Sequence, residues 1–218
     1  ATFTVTTVAV AVSTPVTITG TYNGSTKTAG LTIAPLAIST LVMNPTSVFG
    51  GSSSTGTVTL NGLAPTGGAV VTLSDNSASS TTPANVTVAA GATSATFTVT
   101  TVVVTTSTPV TITSTYNGSL QTAGLSINPV VLVSVTLNPV SVTAGAPTTG
   151  TVTLNAPAAG TAAQRTVTLS DDNAASATPA SVQVVAGATT ATFTITTTVV
   201  TAPTPVTVTA TLNGTPQT

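Results

Sequence analysis

Five charged side chains set the limit on the chemistry of this 218-residue chain. They are Lys27, Asp75, Arg165, Asp171 and Asp172, and the sequence has no His, Cys or Glu. Nucleophilic catalysis by Ser or Thr needs a neighbouring base. Glycoside chemistry needs two acids at one site, but Asp75 and Asp171 are 96 residues apart. We therefore predict no catalytic residue, no enzyme activity and no cofactor.

The one pair of adjacent carboxylates is Asp171-Asp172, which Asn173 follows. Calcium takes six to eight oxygen ligands, usually from several carboxylates. A related stretch, Asp75-Asn76, has one carboxylate fewer. The pattern favours turns in which Asp and Asn bond to nearby backbone, and a weak cation site at Asp171 and Asp172 is the alternative.

Four asparagines stand in Asn-x-Ser/Thr, the acceptor motif for N-glycosylation. Exposed Thr and Ser hydroxyls are a second place for glycans, which would keep a nearly uncharged surface soluble. Glycosylation is a hypothesis at Asn23, Asn85, Asn117 and Asn213.

Composition excludes several classes of partner. Only 2% of the residues are charged and the net charge is −1. Two cations cannot neutralise a run of phosphates, so we expect no nucleic-acid binding. The longest apolar runs stop well short of the ~18–20 residues of a membrane-spanning helix, so we expect no membrane insertion.

Thr makes up about a quarter of the chain and alternates with Val and Ile, which predicts an all-β protein.

An internal repeat is the strongest feature. The stretch that begins Ala1-Thr2-Phe3 recurs 94 residues later at Ala95 and 96 residues after that at Ala191. Each unit has about seven short alternating runs, the size and strand number of an immunoglobulin-like (Ig-like) sandwich. In the complete unit we predict strands A to G near 41–48, 56–61, 69–74, 85–89, 95–101, 110–116 and 121–127. The predicted domains are 1–36 (strands E to G of one repeat), 37–130 (a complete repeat) and 131–218 (a repeat lacking its last strand).

Turns and core positions follow from comparing the repeats. Asn-Gly between two alternating runs predicts a type I′ hairpin turn that joins F to G. The third inward position of strand F is always small, so we expect a bulky side chain of the facing sheet to fill that space. The predicted turns are Asn23-Gly24, Asn117-Gly118 and Asn213-Gly214, and the predicted core anchors are Phe3, Phe97, Phe193, Tyr22 and Tyr116.

The string Asn-Pro-x-Ser-Val, then Gly-Thr-Val-Thr-Leu, then Ala-Thr-Phe-Thr-Val-Thr-Thr resembles tandem bacterial Ig-like repeats of secreted and cell-surface proteins. The resemblance covers essentially the whole chain. It implies stalks, adhesin shafts or extracellular fibres, and an extracellular or cell-surface location. It implies no catalytic residues, and the scarcity of charge departs from relatives that calcium rigidifies.

Two functions are open at this point. The first is a structural protein whose sandwiches join end to end in a filament or stalk, with copies of itself or flanking Ig-like repeats as partners. Residues 191–218 align with 1–28, as expected for a window of a longer array or for chains that complete one another by strand addition. The second is an adhesin module for a glycan or a surface protein, with Phe49 as the one aromatic outside the repeat pattern.

Overall fold

The computed structural model describes residues 1–8 and 10–218, and this part of the chain is almost entirely β-structure. Within it, the one helical element is a 3-10 turn at Ala163–Arg165, in the loop where the third repeat carries two extra residues. No described helix has the length and apolar character needed to cross a membrane. The all-β prediction is confirmed.

The N-terminal segment forms a two-stranded hairpin of β1 (Thr14–Tyr22) and β2 (Ser25–Ile33). The antiparallel register pairs Thr14 with Ile33 and Tyr22 with Ser25. The predicted strand E at residues 1–7 is wrong, because these residues are not in a strand. In the later repeats strand E pairs with strand B, and the described residues among the first 36 form no strand besides β1 and β2.

The middle segment forms two sheets. Strands β3, β5, β9 and β7 follow one another in the first, and β4, β11, β10, β6 and β8 in the second. This is the Ig-like arrangement, with A, B and E in one sheet and G, F and C in the other. The strands are β3 (Ile38–Asn44), β4 (Ser47–Phe49), β5 (Ser53–Leu60), β6 (Ala69–Asp75), β7 (Ser80–Thr81), β8 (Asn85–Val88), β9 (Ser94–Thr101), β10 (Thr108–Tyr116) and β11 (Ser119–Asn128).

Alternation of apolar and polar residues decides which side of each strand is buried. On β6, Val71 and Leu73 are buried, whereas the side chain of Val70 points to the other side of the strand and is exposed to solvent. Strand D is found where it was predicted, as β8, and it pairs with β6, so it lies beside strand C. The two-residue β7 takes the place beside β9. Sequence alternation marks a strand but carries no information on its partner.

The third segment repeats the arrangement with sheets β12-β13-β17-β15 and β16-β14-β18-β19. Side chains from both sheets form one apolar cluster, which includes Val152, Phe193, Val167 and Ala210. The strands are β12 (Leu132–Asn138), β13 (Thr148–Leu154), β14 (Thr166–Asp171), β15 (Ser176–Ala177), β16 (Ser181–Gln183), β17 (Thr190–Thr197), β18 (Val208–Leu212) and β19 (Thr215–Gln217).

Compactness divides the chain differently from the sequence repeat. One compact unit comprises Ala1–Thr46, Ser54–Val99 and Val110–Leu125, and the other comprises Ser47–Ser53, Thr100–Pro109 and Ser126–Thr218. Every described sheet lies within 1–36, 37–130 or 131–218. The division into those three domains stays a prediction.

Candidate functional site

The loop after β14 holds the two adjacent carboxylates. Asp171 accepts backbone N–H bonds from Asn173 (3.4 Å) and Thr178 (3.0 Å). In the loop after β6, Asp75 accepts two equivalent bonds at 3.1 Å each. Both aspartates thus fix the turn that follows their strand.

The residue after each of these aspartates also accepts a backbone N–H, and it is charged in the third segment (Asp172) but neutral in the middle one (Asn76). A charge is therefore not needed to make this bond. Asp172 Oδ1 accepts the backbone N–H of Thr207 at 2.7 Å. In the middle segment Asn76 Oδ1 accepts the N–H of Thr111 at 2.9 Å. An amide oxygen and a carboxylate oxygen therefore make equivalent bonds, the first to Thr111 in β10 and the second to Thr207, the residue before β18.

Hydrogen bonding holds the pKa of all three carboxyls below the ordinary value. For Asp75, burial raises the pKa, but hydrogen bonds to the carboxylate outweigh it. For Asp171 the Thr178 hydroxyl is the largest influence, and for Asp172 it is the backbone N–H bond just described. By geometry, neither the Thr82 Oγ1 nor the Thr178 Oγ1 has a hydrogen-bond partner in the described part of the chain, so the backbone N–H bonds are the contacts that the structure shows at Asp75 and Asp171.

These contacts bear on the weak cation site at Asp171 and Asp172. Both carboxylates already accept backbone N–H groups, which is turn chemistry. Across residues 1–8 and 10–218, no three His, Cys, Asp or Glu side chains come together. The geometry favours the structural role, and the cation site stays a hypothesis.

The three Asn-Gly pairs lie in hairpin turns with positive φ at both residues. The angles are 47° and 77° at Asn23 and Gly24, and the two later pairs match them closely. A type I′ turn requires this combination. Three of the four glycosylation motifs therefore begin at hairpin tips, where the Asn side chain is exposed; the fourth, Asn85, is exposed on β8. Glycosylation itself stays a hypothesis.

The core phenylalanines lie over glycine. Phe97 and Phe193 are each 7% exposed. A Cβ built on Gly56 would overlap the Phe97 ring, and one on Gly150, directly opposite Phe193 in the ladder, would overlap that ring. Each ring therefore lies over the neighbouring strand of its own sheet. The expectation that a bulky side chain of the facing sheet fills the space over strand F stays a prediction. The glycine inside the alternating run was the overlooked clue, since a strand glycine marks a close approach.

The other predicted anchors have different surroundings. Phe3 is 75% exposed and Tyr22 is 79% exposed, so neither is a core residue. Both belong to the N-terminal segment, where the described residues (1–8 and 10–36) form the β1–β2 hairpin and no second sheet. Tyr116 is partly buried, and Ser114, at the small position of strand F, donates to the Gln121 carbonyl at 3.3 Å.

Two asparagines that sequence analysis missed hold the entry to each sandwich. Asn61 donates to the Pro35 carbonyl (3.3 Å) and accepts the N–H of Ala37 (3.0 Å). The equivalent Asn155 makes the same two bonds, at 3.4 and 2.9 Å, to the residues on either side of Val130. Each linker is thereby clamped to the end of strand B.

A groove of about 790 Å³ opens in the third segment. Its apolar wall includes Leu137, Ile195, Val206 and Val208. Leu137 and Val206 are only partly buried, whereas their equivalents Met43 and Val110 are 5% and 2% exposed. The apolar core is therefore open at this point in the third segment and closed in the middle one.

Phe49, the aromatic considered as an adhesin contact, is partly buried and packs against the apolar cluster of the third segment, within one compact unit. A packed ring offers little surface to a ligand.

Comparisons with known proteins add resemblance in fold only. No family model matches the chain, and no curated protein matches it. Among solved structures, the D0–D1 domain of intimin is 17% identical over 80% of this chain and 91% of its own, with a TM-score of 0.36. The Escherichia coli adhesin FdeC is 17% identical (94% and 73% covered, TM-score 0.38), and the I9–I11 tandem of titin is 10% identical (94% and 71% covered, TM-score 0.46). Similarity at this level carries over no function.

Proposed function

We propose that this chain is a non-catalytic structural repeat protein that builds an extracellular filament or cell-surface stalk from Ig-like sandwiches joined end to end. The observation that carries the proposal is the pair of linker clamps at Asn61 and Asn155. Each Asn side chain ties two backbone groups of a short apolar linker to strand B of the sandwich that follows, so fewer linker residues are free to act as hinges. Tension then passes from one sandwich to the next through hydrogen-bonded backbone.

The surface suits lateral and end-to-end packing of copies. Outward rows of Thr offer hydroxyls for hydrogen bonds, and a net charge of −1 leaves little repulsion between chains. The partners in this proposal are copies of the chain or flanking Ig-like repeats, outside the cell or at its surface.

Electron micrographs of the purified chain over a concentration series test the proposal. We expect filaments whose yield changes little between low salt and about 1 M salt, because screening acts on charges and this surface has few. Isolated particles at every concentration would contradict the filament. A steep salt dependence would contradict assembly through uncharged contacts.

A further inference from the structure

We infer that the loop at 159–164 of the third segment is a docking element, which recognises a notch formed by Gly51 and Val103 in the repeat before it. The notch accepts a repeat whose loop is long enough to reach it and has a small residue at its first position. All of these residues belong to one compact unit, in which 47–53 and 100–109 join the third segment. The inference concerns contacts within one chain and goes beyond the proposed filament.

The loop between strands B and C differs in length between the two later repeats. Ala64 and Ala158 hold equivalent places at its start, because each donates an N–H bond of 2.8 Å to the loop between strands D and E. Before the next equivalent position the middle segment has four residues, 65–68, and the third segment has six, 159–164. The two extra residues of the third repeat therefore belong to this stretch.

The loop and the notch meet at two glycines, one on each side of the contact. Gly51 has a φ of 92°, and a Cβ built on it would overlap the Cβ of Ala159. Gly160 has a φ of 82°, and a Cβ built on it would lie 2.8 Å from Val103 Cγ2. Because glycine has no Cβ, the two backbones approach more closely here than any other residue would allow.

The notch is held in place by contacts on its own side. Gly51 donates its N–H to Thr101 Oγ1 at 3.1 Å, and the Thr101 hydroxyl donates to the Ser52 carbonyl at 2.6 Å. A Cβ built on Gly50 would lie 2.7 Å from the Val102 carbonyl oxygen, so no side chain fits between them. These two stretches of backbone therefore form one surface.

The loop is held in shape by its own polar side chains. Gln164 Oε1 accepts the N–H of Thr161 at 2.9 Å. Arg165, the single arginine of the sequence, donates from Nε to the Gly160 carbonyl (3.2 Å) and from Nη1 to the Val184 carbonyl (3.1 Å). Since these bonds already order the loop, docking costs little further conformational entropy.

The contact rests on few atoms. A groove of about 560 Å³ opens beside it, with Val102 and Gln164 in its lining. Phe49 adds an apolar contact to the core of the third segment. Because the packing beside the contact is open, one substitution at Gly51 or Ala159 should decide whether the loop docks.

The shorter loop of the middle repeat lacks the features that fit the notch. Pro65 and Thr66 stand at the places of Ala159 and Gly160. A side chain at the second of these places would meet Val103. The notch is therefore expected to accept the third repeat as the next sandwich and to reject the middle one, which would specify the order of the repeats.

Urea denaturation of the full chain, at a protein concentration too low for association, tests the inference. Gly187→Ala is the matched control, because Gly187 has a φ of 81° and an added Cβ would have nothing within 4 Å. It carries the backbone strain of Gly51→Ala without the clash. Gly51→Ala should lower the unfolding midpoint by about twice as much as the control or more, since overpacking adds to the strain. Equal shifts would overturn the inference.

Ala159→Gly supplies a rescue that does not depend on any single variant folding well. Alone it should lower the midpoint slightly, because glycine gives the unfolded chain more freedom. Combined with Gly51→Ala it should raise the midpoint to near that of Gly187→Ala, because it removes the Cβ that the new Cβ meets. A double variant no more stable than Gly51→Ala would overturn the contact.

A loop exchange tests the recognition of the repeat. Replacing 159–164 by Pro-Thr-Gly-Gly, the sequence at 65–68, removes the docking element and keeps a loop that the middle segment uses. In that chain Gly51→Ala should lower the midpoint no more than Gly187→Ala does. An undiminished difference would overturn recognition through the loop. Micrographs of the natural chain decide the filament separately from all of these outcomes.

Discussion

The middle and third segments share the order of strands A, B, C, E and F, and they differ at β4 and in the lengths of F and G. Strand β11 has ten residues and β19 has three. Where G is long, F extends to Thr108, β4 forms beside it, and the core positions Met43 and Val110 are buried. Where G is short, F is shortened, residues 141–143 form no strand and a groove opens. The length of a strand therefore depends on the strand beside it as much as on its own sequence.

The N-terminal hairpin extends the comparison. Its strands β1 and β2 have nearly the sequence of β10 and β11, yet most of their side chains are exposed. The same alternating pattern gives a core in one place and an open face in another, because burial needs a second sheet.

The largest effect is expected where the two sandwiches agree. Phe97→Ala and Phe193→Ala should each lower the free energy of unfolding by about 3–5 kcal/mol, because each leaves a cavity over glycine. Urea denaturation followed by circular dichroism measures this. Val70→Ala, at an exposed position, is the control and should cost less than about 0.5 kcal/mol. A small loss at one phenylalanine and a large loss at the other would break the equivalence of the segments.

The next effect contrasts β11 with β2. Ile127→Ala removes a fully buried side chain and should cost about 2–5 kcal/mol. Ile33→Ala, at the equivalent hairpin position, should cost well under that in the monomer, because Ile33 is only partly buried. Denaturation at a concentration too low for association measures both. Equal losses would show that the hairpin has a core of its own.

A smaller effect is expected at a threonine that both sandwiches use. The Thr101 hydroxyl accepts the N–H of Gly51 (3.1 Å) and donates to the Ser52 carbonyl (2.6 Å). Thr197 makes the equivalent bonds to Gly145 and Ala146. Thr101→Val and Thr197→Val should each cost about 0.5–1.5 kcal/mol, because each removes hydrogen bonds whose exposed backbone partners can turn to water instead. Thr115→Val, at an exposed position, is the control. An equal loss of unfolding free energy there would show that introducing Val, and not removing the hydrogen bonds, causes the effect.

The smallest effect is on pH dependence. The folded-state pKa values of Asp75, Asp171 and Asp172 lie below the ordinary value of 3.8. Their contribution to stability is therefore present above that value and is lost as the pH falls through the folded-state pKa. Thermal unfolding midpoints should be nearly constant from neutral pH to about 5 and fall below about 4. In Asp171→Asn the unfolding midpoint should fall less below about pH 4 than it does in the natural sequence. A midpoint that rises on acidification would contradict the lowered pKa values.

Strand positions and hairpin turns were predictable because they depend on local sequence. The alternation of Val and Thr places β6, β9 and β10 within two residues of their observed bounds. Asn117-Gly118 requires a particular turn because of its backbone preference alone. The Asn61 and Asn155 clamps were not predictable, since a single Asn beside a loop has many partners open to it.

The amino-acid sequence by itself determined the β class, the repeat, the inward side of β6 and β10 and the hairpin turns. Apart from the repeat, which is read directly from the sequence, these depend on neighbours one or two residues away. Only the tertiary structure decided that β8 lies beside strand C, that Phe97 lies over Gly56 and that Phe3 and Tyr22 stay exposed. Those outcomes depend on which strands meet across the sandwich. Strand pairing joins residues that are far apart in the chain, so no local pattern specifies it.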